Sequence, residues 1–250
     1  MKHIISFLLI IFTIFLAQGQ IQSGEITYKI KGNDKAFLER YNSDPASEEQ
    51  KSFAKNWYEK QKRAVPFLKY HLKFNKTESL FENHYRQFMK SDNGDDLEIA
   101  MQVAGVAGDF YTNIQEKEVL NQLKYLNKNW LISHKIKDLK WKITEETKTI
   151  LGYSCKKAIV EFDPIMSIGG EITAWFTPDI PFQFGPTTFV GLPGMILQVD
   201  QGNYTFYATD IKLDEEFIKI EKPKGKPQPV QEFQKERKEL ENKLKGIYAQ

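Results

Sequence analysis

A single cysteine, Cys155, stands in the 250 residues, so no disulfide can form within the chain. Histidine is almost as scarce, with four in all. His71, His84 and His134 each lack a neighbouring His, Cys or clustered carboxylate at metal-ligand spacing, and neither H-E-x-x-H nor C-x-x-C occurs. No metal and no cofactor is therefore expected. Neither sign of charge dominates: 35 Lys and Arg face 33 Asp and Glu, a formal net charge of +2. That balance argues against nucleic acid as a partner, because neutralising phosphates needs a basic surplus on one face. Past residue 16 no apolar run is long enough to cross a bilayer.

The usual chemical signatures are missing as well. There is no G-x-S-x-G elbow, and Ser167 before Gly169-Gly170 lacks that spacing. Gly105 and Gly108 give only G-x-x-G, and Gly225-Lys226 runs into Pro227, not Ser or Thr. The acidic turn Ser91–Asp96 invites a calcium reading. Aligning Gly94 with the loop glycine, however, puts Met89 and Ala100 at the first and last ligand positions, and the pattern fails. These absences weigh against an enzyme without eliminating one, since acids such as Glu171 or Asp179 can assemble a site in space.

What is present begins at the N-terminus. Lys2, the apolar run from Ile4 to Leu16 and the small-residue stretch Ala17-Gln18-Gly19 read as a secretory signal peptide over 1–19, cut before Gln20. No cysteine follows to accept a lipid, so the expected product is periplasmic or secreted, with no membrane span after cleavage. The remainder divides into a single β-rich domain over 20–221, a Pro-rich linker over 222–229 that should be neither strand nor helix, and a C-terminal helix within 230–250.

Within the β-rich domain the pattern alternates with period two. Ile26, Tyr28 and Ile30 share one face, as do Leu68, Tyr70, Leu72 and Phe74. His71 falls on the lysine face of its strand, towards solvent. Extended runs follow at 80–85, 110–113, 118–125 and 130–134, then Leu139-Trp141-Ile143, 153–162 and 171–177, and a hairpin joins 195–199 to 204–213. In 153–162, Ala158, Val160 and Phe162 share a face opposite Cys155, which is either a small buried side chain or a reactive thiol. One helix interrupts the first half: Asp44 can cap it, Pro45 fits its first position, and Phe53, Trp57 and Ala64 would form its buried side, with Pro66 ending it. At the C-terminus Val230, Phe233, Leu240 and Leu244 form a narrow apolar stripe suited to docking on the domain. Successive strands without helical crossovers predict an α+β fold: a curved, mainly antiparallel, half-barrel-like sheet with one helix in the N-terminal half and one at the C-terminus.

The stretch 178–196 is unusual. Prolines and glycines fix its path, while Ile180, Phe182, Phe184, Phe189 and Leu192 load it with apolar surface. Such a loop either plugs the sheet or contacts a ligand or partner. Its end, Gly191-Leu192-Pro193-Gly194-Met195-Ile196, resembles the signature of the GLPGLI family, exported proteins found mainly in Bacteroidetes. Gly185-Pro186, Ala174-Trp175-Phe176-Thr177, the early Gly-Glu-Ile-Thr-Tyr strand and the segment around Cys155 resemble that family too. The resemblance implies an envelope or secreted location and structural roles for these motif residues, but no catalytic residues. Function on this reading is non-enzymatic binding of an apolar ligand or an envelope protein, in a layout analogous to lipoprotein-carrier half-barrels. The alternatives are a periplasmic hydrolase with an unrecognised site, or a structural accessory to an outer-membrane transporter.

Overall fold

Period-two alternation builds most of the molecule. The computed structural model describes residues 21–43, 45–83, 107–125, 128–136, 139–160 and 171–248. The expected signal peptide, Asp44, His84, the turn around Gly94, Phe162 and Ser167 lie outside them, as does Leu244's side chain. Strand β1 (Ser23–Gly32) turns Ile26, Tyr28 and Ile30 inward, and β2 (Lys69–Asn75) does the same with Tyr70, Leu72 and Phe74; all six are fully buried. The meander continues through β3 (Glu78–Asn83), β4 (Asp109–Asn113), β5 (Glu118–Tyr125) and β6 (Lys128–Lys135). A second meander runs through β7 (Trp141–Ile150), β8 (Tyr153–Val160), β9 (Ile172–Thr177), β10 (Met195–Gln201) and β11 (Tyr204–Asp214), and joins the first where β11 pairs with β1. Among the described residues the result is one 12-stranded sheet, ordered β12-β6-β5-β4-β3-β2-β1-β11-β10-β9-β8-β7.

Chain length makes that sheet curve. β6 and β7 lie ten places apart in the sheet order, which in a flat sheet would separate them by about 48 Å. Only residues 136–140 connect them, and such a link spans roughly 20 Å when fully extended. The two ends of the sheet must therefore curl towards each other, which is the curved α+β architecture that the strand pattern predicts.

Three helices accompany the sheet in the described residues: α1 (Asp34–Ser43), α2 (Glu48–Ala64) and α3 (Val230–Tyr248). α1 adds to the one helix expected in this half. α2 is capped by Ser47, not Asp44: its hydroxyl accepts from Gln50 N–H while the Gln50 side chain accepts from Ser47 N–H. Its buried side is also different from the expected one. Tyr58 and Gln61 face inward, whereas Phe53 is 70% exposed and stacks against Trp57 on the surface. The reason is that α2 docks by polar tips as much as by apolar area. Tyr58 stacks on Phe37 with centroids 4.0 Å apart and donates its hydroxyl to Asp34, and Tyr204 donates to Gln61. Pro66 sits in a single 3-10 turn, Val65–Phe67, that ends the helix.

Smaller differences follow from irregular pairing. Ile143 stays exposed because β7 bulges against β8 between Ile143 and Thr147. Cys155 and Ala158 are both buried although they alternate, so β8 is covered on both sides there. The Pro-rich stretch is not wholly irregular: Gln228–Pro229 form a short strand, β12, pairing in parallel with Ile132 and Ser133 of β6. From it α3 docks Phe233 on Trp130, with Val230 and Leu240 packed alongside.

The concave side of the sheet is filled by the 178–194 loop. Ile180, Phe182, Phe184, Phe189 and Leu192 are at most 5% exposed. Phe182 meets Phe74 at 4.8 Å, and Trp141 Nε1–H donates to Val190 O. Backbone bonds hold the loop's path: Met195 N–H to Ile180 O and Ile196 N–H to Phe184 O. The buried Tyr28 hydroxyl donates to Ile196 O. The motif glycines serve this packing. Gly194 adopts φ +153, and a Cβ there would lie 2.1 Å from Thr177 O; a Cβ on Gly185 would lie 2.8 Å from Ile196 Cβ. Phe184→Ala should cost about 3–5 kcal/mol in urea unfolding, against less than about 0.5 kcal/mol for Phe53→Ala. Gly194→Ala should be more damaging in the same assay than Gly191→Ala, where φ +91 strains a side chain but a Cβ would meet open space.

Candidate functional site: a polar cleft on the outer face

Filling the concave side leaves the outer face of β9, β10, β11 and β1 to meet solvent, and the register sorts its side chains into two rows. Trp175 pairs with Gln198, which pairs with Tyr207. Next to them Thr173 pairs with Asp200, which pairs with Thr205, and Thr205 with Lys31. α1 stands over one end of these rows, because Asn33 N–H bonds Asn203 O and Gly32 leaves room for the Tyr58 hydroxyl and the Lys62 stem of α2. Between wall and floor lies an open cleft of about 590 Å³, within the range of small-molecule sites.

The floor is organised around Asp200. Its carboxylate accepts from Thr205 Oγ1 at 2.6 Å and from Gln198 Nε2 at 3.2 and 3.0 Å. Gln198 Oε1 in turn accepts from Lys148 Nζ at 2.7 Å, and that ammonium lies 4.1 Å from the Trp175 ring centre. Burial pushes Lys148 below the ordinary lysine range, an effect that the Asp200 charge opposes. Lys31 sits over the Tyr207 ring at 5.3 Å. In the wall, Lys62 and then Tyr58 hold the Asp34 carboxyl below the usual carboxylate range. Burial lowers the half-buried Arg40 guanidinium and pushes the Tyr204 hydroxyl behind it up to about 12. The lining carries three cations, Lys31, Lys35 and Arg40, against the carboxylates of Asp34, Glu39, Glu171 and Asp200. Both signs of charge are thus interspersed with hydrogen-bonding side chains along the cleft.

The residues singled out in the sequence lie elsewhere. The five apolar loop residues are buried in the core, as are Gly185, Pro186 and Gly194 around them. Cys155 is fully buried, and its thiol donates weakly to Tyr153 O. Burial raises it to about 11, against the smaller opposing effect of Lys148. His71 is half-buried against Glu25, its Nδ1 at 2.6 Å from the carboxylate, so it is less open to water than its place on the lysine face implies. His134 is half-buried on β6. Among the described residues no three His, Cys, Asp or Glu side chains gather to hold a metal, and no helix is long and apolar enough to cross a membrane. Asp200 read only as a turn residue; its signal was its place beside a two-residue hairpin whose register sets it opposite Thr205.

Residues 87–237 match the family model described as the N-glycanase peptide, N-terminal domain, of PNGase F-II. The chain belongs to this PNGase F-II N-terminal domain family. No curated protein matches it. Of solved structures, PNGF-II in a P21 crystal form shares 19% identity at a TM-score of 0.53, over 86% of this chain and 32% of that one. PNGF-II in a C2 form gives 20% identity and 0.49, over 80% and 28%. The chain thus spans about a third of the length of these proteins, and the likeness is one of fold. A LolA superfamily protein from Nitrosomonas europaea, at 6% identity and a TM-score of 0.26 over 78% of this chain and 87% of that one, is too distant to carry an argument.

The buried thiol gives a direct check on the core beside the cleft. Cys155 should resist iodoacetamide at pH 8 in the folded protein and alkylate within minutes once guanidinium unfolds it, read by intact mass. Fast labelling of the folded protein would contradict the burial.

Proposed function

We propose that this chain is an exported, non-catalytic binding module of the N-glycanase type, recognising carbohydrate on glycoproteins through its outer-face cleft. One observation carries the reading: in a member of an N-glycanase domain family, the register assembles a cleft of mixed charge floored by an acid, an amide and hydroxyls, with Trp175 and Tyr207 as the cross-strand neighbours of the amide, just outside the lining. Protein sites for polar ligands combine such convergent polar groups with aromatic walls. Export is supported by Lys2, the apolar run Ile4–Leu16 and Ala17-Gln18-Gly19, and by the GLPGLI-like motif. The apolar-ligand reading has less support, because Ile180, Phe182, Phe184, Phe189 and Leu192 are spent on the core. An envelope-protein partner is the second reading, favoured by the exposed Phe53–Trp57 stack on α2.

The test is retention of a high-mannose glycoprotein on the immobilised protein, before and after enzymatic removal of the glycan. Binding should require the glycan, and the mass of the retained glycoprotein should stay unchanged. Equal retention of both forms would sink the carbohydrate reading. Loss of glycan mass on incubation would make the chain a hydrolase instead.

A further inference from the structure

We propose that Asp200, Gln198 and Trp175 form a subsite for one neutral sugar ring, and that Lys148 is the positioning residue that locks the amide to the indole. This rests on the carbohydrate reading above and assigns it to particular atoms.

The hydrogen-bond inventory supports it. A carboxylate has about four acceptor sites, and Asp200 commits three of them: Oδ1 to Thr205 and Gln198, Oδ2 to Gln198. Asp200 lines the cleft with one acceptor site uncommitted, and its carboxylate is already held by Thr205 and Gln198. A ligand hydroxyl that donates to it meets an acceptor whose orientation costs nothing further on binding. Gln198 is held as firmly, between Asp200 on its Nε2 side and Lys148 on its Oε1 side.

Trp175 supplies the other half. It is the direct cross-strand partner of Gln198, lies just outside the cleft lining and is partly exposed, with Lys148 over one face of its ring and the other face left for a ligand under this proposal. A sugar ring presents hydroxyls at its rim and C–H groups on its face, and so can lay the face on the indole while its rim reaches Asp200. Tyr207 flanks Gln198 on the far strand, placing two aromatic side chains two strands, or about 10 Å, apart on either side of the polar pair.

Charge selects the ligand class. An anion entering the floor would meet the Asp200 and Glu171 carboxylates, and a cation would meet Lys31, Arg40 and Lys148. A neutral polyhydroxyl compound meets neither penalty. Lys148 is the one side chain that touches both halves, at 2.7 Å from Gln198 and 4.1 Å from the Trp175 ring centre. Without it the amide and the indole can turn independently.

The test is calorimetric titration of the full protein with a free high-mannose oligosaccharide, alongside its sialylated counterpart. Asp200→Asn, close to isosteric, and Trp175→Ala should each weaken binding of the neutral glycan at least tenfold, with Lys124→Ala, exposed on β5 and outside the cleft lining, within twofold of wild type. Lys148→Met should weaken it comparably and Lys148→Arg restore it to within threefold, a rescue that a purely structural loss would not give. Should Trp175→Ala fail to fold, Asp200→Asn decides alone. If wild type binds the glycan and Asp200→Asn binds it equally well, the subsite is wrong while the carbohydrate reading stands. If wild type binds neither free glycan nor glycoprotein, both fall. Preference for the sialylated glycan would overturn the neutral class.

Discussion

A link of five residues between strands at opposite reaches of the sheet is the constraint on which the rest depends. Because residues 136–140 must bridge β6 and β7, the sheet has to curl, and curling creates a concave side that must be filled. The chain fills it from within. The stretch between β9 and β10 folds back so that Phe182 lies against Phe74 of β2 and Phe189 against Trp141 of β7, with Phe184 buried in the same core. Its backbone bonds to itself and to the start of β10, which leaves few polar groups to be satisfied by water. Burying five large apolar side chains on this path is worth several kcal/mol in aggregate, and it requires a glycine where Gly194 passes under Thr177.

Once the inner face is committed to packing, chemistry can only be displayed outside. Each strand that sends Phe176, Val199 or Phe206 inward must send its alternate residues outward, here Trp175, Gln198, Asp200 and Thr205. The outer row is therefore set by the same register that closes the core, and a slip of one residue would dissolve both at once. The wall is set by a separate contact. α1 is held over the row by Tyr58 and Lys62 of α2 gripping Asp34, and by Asn33 bonding the β10–β11 turn.

The sequence was informative where one face is apolar and one is wet. The alternation in β1, β2 and β10–β11 told both strand and face, because burial on one side only is what period two records. The helix α2 was harder to read. Two cap-competent residues, Asp44 and Ser47, stand three apart, and only Ser47 has the Gln50 partner that closes the capping box. Its face was misjudged because Phe53 and Trp57 outweigh Tyr58 and Gln61 in hydrophobicity, while the contacts that orient the helix are hydrogen bonds to Asp34 and Tyr204. The cleft was not legible at all. Thr173, Asp200, Thr205 and Lys31 come from four strands, and what joins them is register across the sheet, which no local pattern carries.

The division of the cleft between floor and wall bears on how such a domain could vary. The floor residues Thr173, Gln198, Asp200 and Thr205, and Trp175 and Lys148 beside them, all fall inside the stretch that matches the N-glycanase N-terminal domain family, residues 87–237. The wall, from Lys31 to Ser43, precedes it. The floor is tied to the core through the strand register and cannot change shape without disturbing packing. The wall is a ten-residue helix held by the Phe37–Tyr58 stack and a few polar contacts, so substitutions at the exposed Lys35 or Glu39 can alter its charge and reach without loss of a buried apolar contact. Under the carbohydrate reading proposed above, the rigid part of the cleft would take the sugar ring and the adjustable part would meet the groups attached to it.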